Sequence, residues 1–291
     1  MKYDVAFDPI DLAFFCFNKP TSQKIDMPET STIPDMFVLS ISQATTATFT
    51  DLYFQHTFLF FIQVGSKRVL CPINGELIGH AEDVMIFPPG SMVTLENRPV
   101  LDNDYRAIGV CFPHHMIKAI FSNETSRAKP VGIQILQTCS DQALEILDTI
   151  QATLKDKRLP EPIRQHRLLE PLIWLKYHGI QLSPHEDEKP LSKVRRLIET
   201  DLSHPWRSSE VADYFSISES TMRRWLAKSG QGFAKTLQST RLEHGLSLLQ
   251  STDIPISEIA LNCGFKTPSH FSDSFRKRFG IKPSEIRKVE N

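Results

Sequence analysis

Two adjacent arginines, Arg223 and Arg224, are the side chains whose type and position suggest the clearest chemistry. Ser218 and Glu219 precede them and suit the start of a helix, as an N-cap and an acidic first-turn residue. The inward face of that helix is predicted at Met222, Trp225 and Leu226. Ser220 and the two arginines then face outward. Arginine can donate two bonds to guanine O6 and N7, so this face could read DNA bases; the alternative is a solvated face or phosphate contacts.

A second helix start of the same kind lies downstream at Thr267 and Pro268, since proline at the first helical position lacks only a donor that would be unpaired. Phe271 and Phe275 repeat the spacing of the inward residues in the first unit. The matching outward positions, predicted to contact bases, are Ser269, His270 and Asp273. The carboxylate of Asp273 repels phosphate. It could accept a hydrogen bond from cytosine N4 or orient a neighbouring side chain; alternatively, it leaves the second unit only weakly bound to DNA.

Basic side chains near both helices are predicted to contact DNA phosphates, which fix affinity without carrying sequence information. They are Lys228, Lys266, Arg276, Lys277 and Arg278. The four phenylalanines of the second unit lie at helical spacing and are predicted to be core rather than stacking groups for single strands.

The elements that must position these residues are two helix-turn-helix units, at about 207–229 and 256–279. Between them the leucine pattern predicts one long helix over about 233–250. A rigid spacer of this kind would place the two recognition helices in successive major grooves, about 34 Å apart.

The segment from Arg241 to Phe265, RLEHGLSLLQSTDIPISEIALNCGF, continues through SHF, FRKRFG and KP, and it resembles the signature of the AraC/XylS family of bacterial transcription regulators. The resemblance covers about 191–288, a third of the chain. It departs from the family pattern at Gly245, Ile286 and Arg207, where alanine, an aromatic residue and a capping Ser or Thr are usual. It implies a promoter-binding regulator, more typically an activator that contacts RNA polymerase. The Pro-Trp pair before the first unit is similar to acid-response and virulence-gene regulators.

In the amino-terminal half, short β-rich runs alternate with turn signals over about 37–112, which favours a small antiparallel barrel or jelly roll. The candidate strands are Phe58–Gln63, Arg68–Ile73, Glu76–His80, Val84–Phe87, Met92–Glu96 and Arg106–Phe112. Asn74-Gly75 predicts a type I′ hairpin. The stretch from Gly75 to Gly90 is similar to the cupin-like sensor domains of the same family, which implies a small-molecule or protein effector.

Alternating positions in the predicted barrel make Phe58, Phe60, Arg68 and Phe87 candidates for an effector pocket. Metal-dependent cupins use closely spaced histidines, and no HxH occurs here. No nucleophile motif or phosphate loop stands out either. The sequence therefore predicts no catalytic residue, metal or cofactor.

After the barrel, leucines and isoleucines recur at heptad-like spacing on two helices within about 113–179. These residues are Leu147, Ile150, Leu154, Leu168 and Leu172. Family precedent favours a homodimer contact through this region. The alternative, that the stripe closes the core of a single chain, has comparable weight because it is only two to three turns long.

The charge is divided unevenly along the 291 residues, whose formal net charge is −1. Residues 191–291 contain 16 Lys and Arg against 11 Asp and Glu, so the remainder is acidic. The polar, proline-bracketed stretch 182–190 is predicted to be the linker. The five cysteines are scattered and are expected to stay reduced. The first residues do not fit a secretory signal, and no run reaches the length of a membrane span, so a cytoplasmic location without membrane contact is expected.

The sequence thus predicts an α+β multidomain chain. Residues 1–181 would form a cupin-like β-barrel with dimerisation helices, and residues 191–291 an all-α double helix-turn-helix domain. The favoured function is non-enzymatic regulation of transcription. Two alternatives remain open at this point: a cupin-type metalloenzyme with an ancillary DNA-binding tail, and an interaction module that sequesters a protein partner.

Overall fold

The computed structural model describes residues 36–122, 131–137, 140–183 and 189–287. Within these ranges the chain forms nine strands and nine α-helices, with the strands at the amino-terminal end. The predictions made for the first residues, for Cys16 and Cys139, and for most of the linker lie outside the described residues. No helix among those described has the length and apolar character needed to cross a bilayer.

The strands form two antiparallel sheets whose inner faces enclose one apolar core. They are β1 (Phe37–Gln43), β2 (Ala47–Phe54), β3 (Thr57–Val64), β4 (Ser66–Cys71), β5 (Gly75–His80), β6 (Val84–Phe87), β7 (Ser91–Arg98), β8 (Tyr105–Phe112) and β9 (Gln134–Leu136). One sheet has the order β1-β8-β3-β6-β9 and the other β2-β7-β4-β5. The six predicted strands are present. β1, β2 and β9 are additional, and β9 lies beyond the predicted end of the barrel.

The predicted two-residue turn at Asn74-Gly75 is wrong. Cys71 pairs with Gly75, so three residues connect β4 to β5. Only Gly75 of the two has a positive φ, at 75°. The extra loop residue removes the need for Asn74 to adopt the left-handed conformation that a type I′ turn requires.

Three helices cover the outer face of the five-stranded sheet: α1 (His114–Phe121), α2 (Ser140–Lys155) and α3 (Glu161–Tyr177). The leucines and isoleucines predicted for a dimer contact point into this layer. Leu147, Ile150, Leu168 and Leu172 are buried there, and Leu154 packs against them. The prediction of a dimer contact through these residues is therefore corrected: they close the core of the single chain and are not available to a second copy.

Six helices form the carboxy-terminal part: α4 (Pro190–Thr200), α5 (Ser208–Tyr214), α6 (Glu219–Ala227), α7 (Phe233–Ser251), α8 (Ile256–Asn262) and α9 (Pro268–Phe279). α5 and α6 form the first helix-turn-helix unit, and α8 and α9 form the second. α7 is the long helix between them, one residue longer at its end than predicted. Leu182, at the predicted start of the linker, is buried in the core of the amino-terminal part.

Gly245 is explained by the packing of α7 against α9. A Cβ atom at this position would lie 2.7 Å from Cε2 of Phe271, whose side chain is fully buried. Alanine, although it favours helices, would therefore force the ring to move in a close-packed core. The departure from the family pattern at this position is a packing adaptation to Phe271. Ile286 likewise fills an apolar position and is buried.

The barrel interior and the second helix-turn-helix unit share one apolar core. The rings of Phe49 in β2 and Phe279 in α9 meet edge to face, with centroids 5.4 Å apart. Because apolar area is buried between them, the two parts of the chain are docked onto each other rather than only tethered.

Lys67 is the charged residue inside the barrel. Its side chain points inward from β4 with Val69 and Cys71 and is only 2% exposed. Its ammonium nitrogen lies 4.7 Å from the centroid of the Phe60 ring and 5.1 Å from that of Tyr105. Burial lowers the pKa of Lys67 from 10.5 to about 7, because the charged form loses its hydration.

Replacing Lys67 with methionine is expected to change how stability depends on pH. The folded protein binds fewer protons at Lys67 than the unfolded chain between pH 7 and 10, so its contribution to stability is lowest below pH 7 and rises with pH. The free energy of unfolding of Lys67→Met minus that of wild type, measured by urea unfolding, should therefore fall as the pH rises above 7. The fall should amount to about 2 kcal/mol between pH 7 and roughly 8.5.

Arg68→Met is the matched control, because Arg68 is the next residue of β4 and lies on the outer face. Its difference from wild type should stay constant over the same pH range. A difference for Lys67→Met that does not change with pH would contradict the assignment of a lowered pKa.

Candidate nucleic-acid interface

The first recognition helix, α6, begins where the sequence predicts. Ser218 is its N-cap, and the Ser218 hydroxyl accepts a bond from the Thr221 backbone N–H at 3.2 Å. Met222 and Leu226 are buried, which orients the helix against α4 and α5. The sequence signals of cap and apolar spacing therefore fix both the start and the rotation of the helix.

This rotation leaves the predicted base-contacting residues of α6 facing outward. Ser220, Arg223 and Arg224 are all exposed. Arg224 donates from Nη2 to the Thr221 hydroxyl at 3.2 Å, which restricts its side chain before any DNA arrives. Residues three and four apart share a helix face, so Ser220 and both arginines form one surface.

The second recognition helix, α9, is built in the same way. The Thr267 hydroxyl accepts from the His270 backbone N–H at 3.2 Å, and Pro268 occupies the first turn. Three phenylalanines anchor its inner face: Phe271, Phe275 and Phe279. Their burial confirms that they are core residues. The predicted base-contacting residues Ser269, His270 and Asp273 are exposed, and the His270 ring rests edge-on against Phe265 at 5.3 Å.

Four of the five predicted phosphate contacts are exposed on the same domain: Lys228, Lys266, Arg276 and Lys277. Arg278 is different. Its side chain is only 15% exposed and lies 3.5 Å from a carboxylate oxygen of Glu243. Its guanidinium also donates to the Thr50 hydroxyl at 3.2 Å and to the Asp51 backbone carbonyl at 3.1 Å. In this arrangement Arg278 is held by the barrel, so the prediction that it contacts phosphate does not describe this state.

Arg278 is held by a bulge in β2. The pairing of β2 with β7 shifts between Phe49 and Leu52, and Asp51 has a φ of 50°, in the left-handed region. A bulge re-aims backbone groups, and here it turns the Asp51 carbonyl toward the guanidinium. Asp51 is not a glycine, so its left-handed backbone conformation is uncommon and has to be held by the surrounding structure. The contact between the Asp51 carbonyl and Arg278 therefore depends on a defined local backbone geometry.

Residues 43–51 comprise the end of β1, the turn that leads to the other sheet and the bulged start of β2, and they form a single contact surface for the second unit. We call these residues the docking hairpin. Besides the contacts of Thr50 and Asp51, the Ala44 backbone N–H donates to the Ile286 carbonyl at 3.1 Å. The Thr45 hydroxyl donates to the Glu285 carbonyl at 2.7 Å. Sequence reasoning missed this surface because its polar contacts join residues more than 200 positions apart.

Glu243 of α7 connects the helices of both units. Its carboxylate accepts from Arg195 of α4 and also faces Arg278 of α9. Arg195 is 2% exposed, and its guanidinium lies over the Tyr53 ring of β2 at 4.7 Å. Burial raises the pKa of Glu243, while the two arginines oppose that shift. The pair of guanidinium groups keeps this carboxylate compensated inside the interface.

The predicted effector pocket is partly corrected. Phe58, Phe60 and Phe87 do meet in the barrel, with the Phe60 and Phe87 rings 5.0 Å apart. Arg68 does not join them, because its side chain lies on the outer face of β4 and donates to Glu76 at 2.7 Å. Since side chains alternate along a strand, a shift of one residue exchanges the two faces. Lys67 is the basic group inside, and its alternation with Val69 and Cys71 is the signal that could have revealed it.

The described residues contain no group of three His, Cys, Asp or Glu side chains that could hold a metal ion. His56 is neutral at physiological pH, since burial and then the nearby charge of Arg196 lower its pKa to about 4. Cys71, Cys111 and Cys263 are buried and form no disulfide among the described residues, and burial raises the pKa of the Cys111 thiol.

Comparison with known proteins agrees with this geometry. Residues 211–289 match the model of a family described as a helix-turn-helix domain. The HTH-type transcriptional regulator YdeO of Escherichia coli K12 is 31% identical over 96 residues, which is 33% of this chain and 38% of YdeO. The HTH-type transcriptional activator CsvR of Escherichia coli is 36% identical over 32% of this chain and 35% of CsvR. The transcriptional regulator SirC of Salmonella typhimurium is 33% identical over 34% of each chain. The chain thus spans little more than a third of the length of these relatives.

Solved structures resemble the chain over most of its length. An apo form of ToxT from Vibrio cholerae, carrying one substitution, has a TM-score of 0.64 and 16% identity, covering 89% of this chain and 98% of that one. Wild-type ToxT with a bound unsaturated fatty acid has a TM-score of 0.61 at the same identity, covering 89% and 96%. At this identity the likeness concerns the fold. Residues 211–289 therefore form a helix-turn-helix domain, and the chain as a whole has a two-domain fold similar to that of ToxT.

Proposed function

We propose that this protein is a sequence-specific DNA-binding regulator of transcription that acts without catalysis. The observation that carries the proposal is the pair of recognition helices, α6 and α9, each capped by a hydroxyl and each anchored by buried residues. Both present exposed polar side chains on the face that the core leaves outward. α7, with 19 residues, extends roughly 28 Å. That length suits two helices entering successive major grooves about 34 Å apart.

The side chains divide into two roles. Arg223 and Arg224 are proposed to read guanine, with Ser220 beside them, while Ser269, His270 and Asp273 face bases in the second unit. Lys228, Lys266, Arg276 and Lys277 are proposed to contact phosphates. The first unit carries two arginines at its reading face and the second carries an aspartate, so most of the base discrimination is assigned to the first unit.

The relatives support regulation of transcription, and CsvR is named as an activator. We extend this to the chain as a proposal: it activates transcription at promoter DNA in the cytoplasm, through contact with RNA polymerase. Dimerisation, if used, must involve surfaces other than the buried leucines of α2 and α3, because those residues complete the fold of one chain.

The amino-terminal domain is proposed to sense an effector, and its interior suggests a carboxylic acid with an apolar body. The solved ToxT structures include complexes with an unsaturated fatty acid and with (E)-4-(8-methylnaphthalen-1-yl)but-3-enoic acid. Both ligands have that chemistry. In this chain the ammonium group of Lys67 lies inside an aromatic core, where it can pair with a carboxylate, and the buried Tyr105 hydroxyl has no hydrogen-bond partner among the described residues.

Loss of base readout is expected when the two arginines of α6 are removed. Arg223→Ala and Arg224→Ala should each lower the affinity of the full chain for a selected target fragment by about 1–3 kcal/mol where the arginine reads guanine. The loss should be concentrated at one base pair when substituted fragments compete. Lys277→Ala is the control, and it should weaken all fragments alike. Unchanged discrimination in both arginine variants would remove the assignment of α6 as the reading helix.

The salt dependence of binding should separate free from docked cations. Each phosphate contact adds about 0.9 to the slope of log affinity against log salt concentration. Arg276→Ala and Lys277→Ala should each reduce the slope by about that amount, measured by fluorescence anisotropy. Arg278→Ala should leave the slope close to wild type, because the docking hairpin holds Arg278. An equal reduction for Arg278→Ala would show that the hairpin releases Arg278 on DNA.

Binding of an apolar acid should depend on the charge of Lys67. Oleate is expected to bind the full chain with an affinity at least tenfold higher than that of oleyl alcohol, measured by titration calorimetry. Lys67→Met should remove this preference, and Arg68→Met should retain it. Equal binding of the acid and the alcohol by wild type would contradict the proposed class of effector.

A further inference from the structure

A continuous set of side-chain hydrogen bonds runs from the centre of the barrel to the DNA-binding domain. Lys67 Nζ donates to Asn97 Oδ1 at 2.7 Å, and Asn97 Nδ2 donates to Gln43 Oε1 at 3.0 Å. The same Gln43 oxygen accepts from Gln250 Nε2 at 2.8 Å. Lys67, Asn97 and Gln43 belong to three strands of the barrel, and Gln250 belongs to α7. We call these four residues the polar relay.

The relay is buried where it crosses the barrel. Gln43, Lys67 and Asn97 are at most 2% exposed. Water cannot replace a lost partner at such positions, so a buried amide that loses one bond must turn to find another. Bonds that share atoms also strengthen one another, and the charge of Lys67 polarises the Asn97 amide toward Gln43. A change at one end therefore alters the geometry preferred at the other.

Gln43 connects the relay to the docking hairpin. Its Nε2 donates to the Thr45 carbonyl at 2.7 Å, in the turn of that hairpin. The next residue, Ala44, donates its backbone N–H to Ile286, and Thr45 donates to Glu285. The orientation of the Gln43 amide therefore supports two contacts: its hydrogen bond with Gln250, and the turn whose residues bond to Glu285 and Ile286.

The inner end of the relay has capacity for another partner. An ammonium group has three N–H donors. One donor of the Lys67 ammonium group bonds to Asn97, and the Phe60 and Tyr105 rings lie beside the same ammonium group. The Tyr105 hydroxyl is fully buried and has no hydrogen-bond partner among the described residues. An acceptor group entering the barrel would compete with Asn97 for the ammonium group.

We propose that the polar relay couples the occupancy of the barrel interior to the docking of the second helix-turn-helix unit. When Lys67 is drawn away from Asn97, the Asn97 amide turns, Gln43 loses its orientation and the docking hairpin loosens. Arg278 is then released from Thr50 and Asp51 and becomes available for phosphate. The direction of this effect rests on the proposed function, since the released residue acts on DNA. The coupling itself does not require an effector to be known.

The test is a double-substitution cycle on the full chain without ligand. Lys67→Met breaks the relay at its inner end, and Gln250→Leu breaks it at its outer end. The measured quantity is hydrogen exchange of the Ala44 backbone amide, which bonds to Ile286 only when the hairpin is docked. Each single variant should accelerate this exchange by at least about threefold, and the double variant should be no faster than the faster single variant.

Two matched controls keep the result specific. Arg68→Met removes a cation from the neighbouring residue of β4, whose side chain points outward. Gln238→Leu removes an amide from α7, the helix that also carries Gln250, but the Gln238 side chain faces Ser274 within the carboxy-terminal domain. Both should leave Ala44 exchange at the wild-type rate. Multiplying effects in the double variant, or wild-type exchange in folded Lys67→Met, would overturn the relay. If Lys67→Met failed to fold, wild-type exchange in Gln250→Leu would overturn it equally.

DNA binding gives the second readout and separates this inference from the proposed function. Lys67→Met should increase the salt slope by about 0.9, because one more cation reaches phosphate, and Arg278→Ala in the same chain should cancel that increase. An unchanged slope with accelerated Ala44 exchange would overturn the release of Arg278. A wild-type chain that bound no DNA specifically would refute the proposed function, while the exchange cycle would still decide the coupling.

Discussion

The arrangement of the carboxy-terminal domain depends on one buried carboxylate. Glu243 lies on the central helix α7, and its partners come from opposite sides: Arg195 on α4 and Arg278 on α9. Removing Glu243 would leave two guanidinium groups without their shared carboxylate in a site where the side chains are 2–15% exposed. Breaking such a buried pair costs about 3–5 kcal/mol, far more than a surface ion pair is worth. The same two arginines also contact β2, so the interaction that assembles the helices also places them on the barrel.

This constraint makes the two helix-turn-helix units unequal. The first unit keeps its cations in solvent, whereas the second has committed Arg278 to Glu243 and to the docking hairpin. One guanidinium cannot satisfy the hairpin and a phosphate at once, because its donors point in fixed directions. A contact between Arg278 and phosphate would therefore require a different arrangement of the docking hairpin. The unit whose outward face carries Asp273 is also the one that the barrel contacts through Arg278.

What the sequence predicted well were features set by neighbouring residues. The caps Ser218 and Thr267, the buried phenylalanines of α9 and the long helix α7 all follow from local spacing, and the structure confirms them. Features that depend on distant partners were not predicted. The choice between Lys67 and Arg68 depends on strand register, and β1 and β2 became recognisable only through pairing with β8 and β7. The leucines of α2 and α3 have the same spacing whether they meet a second copy or their own sheet.

The unequal charge of the two halves does not explain how they dock. Arg278 is held by a neutral hydroxyl and a backbone carbonyl of the barrel, and its carboxylate partner, Glu243, comes from its own domain. Other contacts between the two parts join two glutamine side chains, two phenylalanine rings, backbone groups, the Thr45 hydroxyl with the Glu285 carbonyl, and the Arg195 guanidinium with the Tyr53 ring. Contacts of this kind are weakly screened by salt, whereas phosphate contacts lose affinity steeply as salt increases. Rising ionic strength is therefore expected to weaken DNA binding before it opens the interface between the two parts of the chain.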